Sequence, residues 1–267
     1  MTAREGMPAV DGMALRPAPP RTIEGRTVGQ VEVGAVGPAS PVCYAFIDRE
    51  HGDDAEELVR AAAQVLAQSA VAEDAETSGA GAAARPGSVA FTLVACETGD
   101  WNAELSPWPE AKGAYGESFA GEGPATLAWL REACIPAIEG AGGTRPRAIA
   151  GYSLAGLFAA WVFLESGAFQ GLASCSGSLW FPGWTDWARD HAAPAASVAY
   201  LSLGKKEPRV RNAQVAQVGA ATEAFASALQ EGDTVRASAF VWNPGGHFND
   251  PTGRLAAGIA WTVARLV

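Results

Sequence analysis

The sequence is poor in the residues that metal and nucleotide chemistry require. Histidine occurs only at His51, His191 and His247, positions too dispersed for the ligand spacing of a zinc site. Neither G-x-x-x-x-G-K-[ST] nor G-x-G-x-x-G is present, which argues against a nucleotide enzyme, and no cofactor is expected. The four cysteines, Cys43, Cys96, Cys134 and Cys175, form no C-x-x-C, and each lies in an apolar stretch, so they read as buried, reduced, structural thiols. Lysine and arginine number 19 against 29 acids, and the resulting charge of −10 repels phosphate backbones and anionic lipid heads. Nucleic acid is therefore an unexpected partner. Long apolar segments are missing too. The uncharged run from Ala148 to Leu164 falls short of the about 20 residues that span a bilayer and carries Gly-x-Ser in its middle, so it reads as a buried strand followed by a buried helix. No membrane association is expected. Proline and charge interrupt the first twenty residues before any signal-peptide core forms, and the expected location is cytoplasmic.

What the chain does hold is apolar material, 48% of 267 residues, enough for a core that hides about 75% of the unfolded surface. Residues 1–24 are expected to be a flexible N-terminal segment and 25–267 one domain. The Ala/Gly-rich stretch 69–87 reads as an exposed connector. Short apolar runs alternate with helical patterns, a βαβα rhythm that predicts an α/β fold with a mostly parallel twisted sheet and helices on both faces. The expected strands are 31–36, 42–47, 89–96, 148–152, 172–175, 198–203 and 235–242. The expected helices are 53–68, 123–138, 154–165, 183–192, 212–229 and 251–266. No oligomeric state follows from this pattern. In such sheets ligands bind beyond the carboxyl ends of the strands, so residues that follow strands are the first candidates for chemistry.

The strongest local signal is Gly151-Tyr152-Ser153-Leu154-Ala155-Gly156, between the strand at 148–152 and the following helix. A sharp strand-to-helix turn brings backbone segments together, so it needs small residues two before and two after the serine. Gly151 and Ala155 supply them, although glycine is the usual residue at the second position. Such a turn presents the serine oxygen at the sheet edge and sets the Leu154 N–H and the helix start beside it as oxyanion donors. The plainer reading is that Ser153 merely caps the helix.

A serine nucleophile needs a base and an acid to orient it. His247 follows the strand 235–242 in the loop Asn243-Pro244-Gly245-Gly246-His247, whereas His191 reads as a histidine near a helix C-terminus. Glu207 follows the strand 198–203, giving the chain order Ser153, Glu207, His247. In isolation Glu207 would read as a surface carboxylate paired with Lys205, Lys206 or Arg209. Asp233 precedes its strand and belongs at the opposite sheet edge; Asp186 is a weaker rival.

A second oxyanion donor is expected from the loop after strand 42–47, with the Arg49 N–H as the candidate; His51-Gly52 there resembles a His-Gly oxyanion motif or simply makes a turn. The segments Asp100 to Trp108 and Ser176 to Trp180 also follow strands. Trp101 and Trp180 are candidate apolar walls for an acyl or aryl group, with Asn102 or Glu104 fixing its orientation. Trp184 and Trp187 read as packing residues.

The segments GYSLAG with LFAAWVFL, SCSGSLWF, YLSLGKKE and WNPGGHF resemble those of the esterase D and enterochelin (siderophore) esterase group of α/β hydrolases. DWNAELSPW is similar to that group's arginine-containing segment ending in Glu-Leu-Thr/Ser-Pro, with the arginine replaced near Trp101. The resemblance covers about residues 40–265. It implies an α/β-hydrolase sheet of about eight strands, with Ser153 as nucleophile, His247 as base and Glu207 as acid. A small-molecule ester is the implied substrate. An acyltransferase on the same fold and a non-catalytic ligand-binding module are the alternatives.

Overall fold

A computed structural model describes residues 9–10, 12–48, 54–76, 89–140 and 142–267. Eight strands form one sheet in the order β1-β2-β4-β3-β5-β6-β7-β8: β1 Leu15–Ile23, β2 Arg26–Val33, β3 Val42–Ile47, β4 Phe91–Glu97, β5 Arg147–Tyr152, β6 Gly171–Cys175, β7 Ser197–Gly204 and β8 Val235–Asn243. From β4 to β8 all neighbouring pairs are parallel, while β2 pairs antiparallel with both β4 and β1. The chain runs from β3 to β4 on one side and then returns to place β5 on the other side of β3. The ends of β3 and β5 therefore flank the crevice where such sheets bind ligands.

Strand alternation divides the apolar residues between two cores. Tyr44, Phe46, Ile149, Leu172 and Leu201 face one side, and Cys43, Ala45, Ala148, Ala150 and Ala173 face the other. The second side is covered by α1 (Ala55–Glu76) and α8 (Pro251–Ala264). Across the first side lie α5 (Leu154–Ser166), α6 (Trp184–Arg189) and α7 (Val218–Glu231). They are joined there by α3 (Gly123–Trp129), the π turn Leu130–Cys134 and α4 (Ile135–Glu139). A short α2 (Trp101–Glu104) follows β4. The π turn lies where Pro136 enters the helix. Proline lacks the N–H that would continue the ladder and crowds the carbonyl four residues back, and a widened turn relieves both.

All seven expected strands and six expected helices are present; strand 42–47 has the expected ends and the others shift at one end or both. β2 opens at Arg26 and stops at Val33, where Gly34 turns with φ +73°. The helix expected from residue 212 begins regularly only at Val218, after Asn212 caps Gln214 and Val215 and a 3-10 turn spans Val215–Gln217. α1 extends to Glu76, so the first part of the expected connector is helical; residues 77–88 lie outside the described set.

One expectation is corrected. Residues 15–23, assigned to a flexible segment, form β1 at the sheet edge. Pro17, Pro19 and Pro20 hide its pattern because they cannot donate to a ladder, and an edge strand with a register shift between Ala18 and Arg21 accommodates them. A tight turn with positive φ at Glu24 and Gly25 joins it to β2.

The four cysteines are free and buried, as expected. The uncharged run 148–164 divides into β5 and α5, and among the described residues no helix is long and apolar enough to cross a membrane.

Candidate active site

β5 ends at Tyr152, and the chain turns into α5 at Ser153 with φ 59° and ψ −123°, a conformation that L residues rarely adopt. The turn is tight. A Cβ on Gly151 would lie 2.2 Å from the Ala155 carbonyl oxygen, and one on Gly156 would lie 2.8 Å from the Gly177 Cα, so both glycines are required by close approach. Ala155, at the position where glycine is usual, is fully buried. The Ser153 side chain makes no capping hydrogen bond, so the helix-cap reading does not hold. Its carbonyl is pinned instead by the Ser178, Gly156 and Leu157 N–H groups. Leu154 opens α5, placing its N–H among those at a helix start that have no partner within the helix.

The Ser153 Oγ lies 3.0 Å from His247 Nε2, and His247 Nδ1 lies 2.8 Å from Glu207 Oε2. Three residues from the ends of β5, β7 and β8 thus form one hydrogen-bonded chain. The histidine loop is held by the Lys205 N–H on the Asn243 carbonyl, the Lys206 N–H on the Gly245 carbonyl, and the Tyr152 hydroxyl on the His247 carbonyl.

Glu207 is 4% exposed, and its second oxygen accepts from the Gly204 N–H at 2.7 Å, the Ser176 hydroxyl at 2.7 Å and Arg254 Nη1 at 3.2 Å. Burial by itself raises a carboxyl pKa. The hydrogen bond and charge of His247, with the bonds from Ser176 and Gly204, outweigh it and hold Glu207 below its ordinary value. None of Lys205, Lys206 or Arg209 is its ion-pair partner; that partner is Arg254, itself 4% exposed.

Arg254 was not singled out from the sequence. Its guanidinium also reaches Ser176 Oγ, the Tyr152 hydroxyl and the Pro244 carbonyl, so it joins the strand ends that carry all three residues of the chain. A signal was available: Arg254 is the only charged residue within α8, and it is buried there.

The remaining candidates divide. Trp101 borders a cavity of about 80 Å³ beside Ser153, with Leu58, Tyr152 and Leu255. Trp180 borders a larger one of about 350 Å³ with Ser153 and His247. Asn102 lines neither; its carbonyl accepts from the buried Ser106 hydroxyl, which in turn accepts the Gly121 N–H. Glu104 pairs with Arg26 at 2.7 Å. The 100–108 segment therefore uses its polar residues to fasten itself to the fold. Arg49 and the His51-Gly52 pair lie outside the described residues. His191 stacks on Trp187 and bonds its carbonyl, and Asp186 pairs with Arg189 at the surface. Trp184 is fully buried in the core. Among the described residues no group of His, Cys, Asp or Glu could hold a metal ion.

No family model matches the chain, and no curated protein matches it. Solved structures do. Siderophore hydrolase EstA from Aspergillus nidulans aligns with TM-score 0.62 at 17% identity, covering 98% of this chain and 96% of that one. EstB from the same organism gives 0.62 at 14%, covering 97% of each chain. An IroE-like serine hydrolase from Shewanella oneidensis gives 0.63 at 16%, covering 88% of this chain and 75% of its own. At these identities the likeness is one of architecture, and that architecture is the α/β-hydrolase fold expected from the resemblance.

Proposed function

We propose that the protein is a serine carboxylic-ester hydrolase in which Ser153 is the nucleophile, His247 the general base and Glu207 the orienting acid. The observation that carries this reading is the Ser153 hydroxyl's contact with His247 Nε2, made at a strained turn whose serine does no capping. His247 takes the Ser153 proton as the oxygen attacks the ester carbonyl. Glu207, ionised and accepting at Nδ1, holds the ring in the tautomer that leaves Nε2 free to accept and stabilises the imidazolium that forms. The Leu154 N–H faces the developing oxyanion, with a second donor, proposed as the Arg49 N–H, from the loop after β3. Collapse of the tetrahedral intermediate breaks the carbon–oxygen bond of the ester, and His247 returns its proton to the departing alcohol. Water then repeats the sequence on the acyl-enzyme. The candidate substrates are small or siderophore-type esters, a reading supported by the names of the neighbouring siderophore hydrolases.

Ser153→Ala is expected to lower hydrolysis of p-nitrophenyl acetate by about ten-thousand-fold or more while leaving the thermal midpoint close to that of the parent. A fluorophosphonate probe should label the parent at Ser153 and spare the variant. Undiminished turnover by the variant, or no labelling of the parent, overturns the assignment.

A further inference from the structure

Among the described residues, two cavities that border Ser153 differ in one decisive way. The smaller is lined by Ser153 without His247; the larger, about 350 Å³, is lined by both. A departing alcohol oxygen must receive its proton from His247 Nε2, so the alcohol part of an ester lies on the imidazole side of the serine. Only the larger cavity meets that condition. Beyond the Ser153–His247–Glu207 chain it is lined by Trp180, Val215 and Val218, by the Ser176 and Ser178 side of the β6 loop, and by the exposed Tyr115, Val210 and Phe248 at the mouth. Among the described residues no lysine or arginine lines it, and the one carboxylate that does, Glu207, is already engaged by His247, Ser176 and Arg254.

The mouth carries a second, independent mark. Among the described residues five large apolar side chains are exposed, and three of them, Tyr115 at 73%, Val210 at 39% and Phe248 at 88%, stand at this cavity. Phe248 meets the His247 ring edge-on at 5.1 Å between centroids. Apolar side chains gathered in water around a concave site mark an apolar ligand.

We infer that this cavity is the leaving-group site and that the preferred substrates are esters of uncharged, apolar alcohols, aromatic or bulky aliphatic. This rests on the esterase reading above. In the step concerned the serine oxygen bonds to the acyl carbon, the bond from that carbon to the alcohol oxygen breaks, and the proton held by His247 passes to the alcohol, which leaves through the Trp180–Phe248 mouth.

Ethyl, benzyl and 4-carboxybenzyl acetate share one acyl group and have leaving alcohols of similar acidity, so kcat/KM reports the alcohol site. Benzyl acetate is expected to exceed both ethyl and 4-carboxybenzyl acetate by at least about tenfold. The benzyl-to-ethyl ratio within each variant should fall in Trp180→Ala and also in Phe248→Ala, whose side chain is too exposed to support the fold. Val210→Lys, which sets a cation at the rim, should raise 4-carboxybenzyl acetate relative to benzyl acetate. Equal rates for all three esters, or ratios untouched by all three variants, overturn the leaving-group assignment while ester hydrolysis stands. No turnover of any of them, with Ser153 unlabelled by fluorophosphonate, overturns both together.

Discussion

At the residue scale the site depends on a carboxylate kept ionised in a buried place. Glu207 is held below its ordinary value of 4.5, so its charged form contributes stability that is complete above that value and is lost as pH falls through the lower folded value. Parent and Glu207→Gln should therefore differ in their acid limbs. Urea midpoints taken between about pH 6 and pH 3 should fall more steeply for the parent, because the glutamine has no proton to gain. The same variant should lose roughly ten-thousand-fold in kcat, since the amide can favour the wrong imidazole tautomer. Parallel acid limbs would show that the stabilising charge lies elsewhere. Arg254 answers Glu207 in the same buried space, and removing one partner of such a pair strands the other. Arg254→Met is expected to cost about 3–5 kcal/mol in denaturant unfolding, with partial recovery in Arg254→Lys. This network also marks what the sequence leaves illegible. Ser153, Glu207 and His247 announce themselves by following strands, whereas Arg254 shows locally only as the one charge within α8, and its contacts with Ser176 and Tyr152, 78 and 102 residues away, are encoded in no local pattern.

At the element scale the turn from β5 to α5 decides where Ser153, the proposed nucleophile, stands. Gly151→Ala would set a methyl 2.2 Å from the Ala155 carbonyl oxygen, backbone that cannot yield without moving the start of α5. Overpacking of this kind costs about 1–3 kcal/mol or more, and the displaced Ser153 should lose most of its turnover along with its contact to His247. Ala155→Gly, by contrast, restores the commoner pattern and should cost only about 1 kcal/mol through helix propensity, with esterase activity retained. Thermal midpoints and p-nitrophenyl acetate rates for the pair test this contrast; equal damage from both changes would mean that the turn does not depend on the space at Gly151. The order of elements was readable because buried parallel strands appear as short apolar runs bounded by glycine, proline and polar residues, as in Val42–Ile47 and Gly171–Cys175. The π turn before Pro136 was not, since the helical period continues through it. The start of α7 was obscured because Asn212 caps a turn before the regular helix begins.

At the scale of the whole molecule the sheet has two edges, and they are managed differently. β8 is extended by the loop that delivers His247, while β1 closes the far edge with three prolines whose missing N–H groups blunt further pairing. Only the ends of β1 are buried, Leu15 at 2% and Ile23 at 8%, and each enters a different core. The Trp129 indole donates to the Ile23 carbonyl, which fastens the strand to α3. A sequence reading that weighs proline against strand formation therefore excludes a segment that the sheet needs as its border. A chain beginning at Gly25 would lose the burial of both side chains, about 3–6 kcal/mol as an upper bound, and would bare the paired edge of β2. The expected result is a lower thermal midpoint and association that grows with protein concentration in light scattering. Folded protein that remains should still hydrolyse ester, because β5, β7 and β8 carry the proposed site on the other side of β3. A shortened chain that associates no more than the parent, with an unchanged midpoint, would mean that β1 decorates the sheet without protecting it.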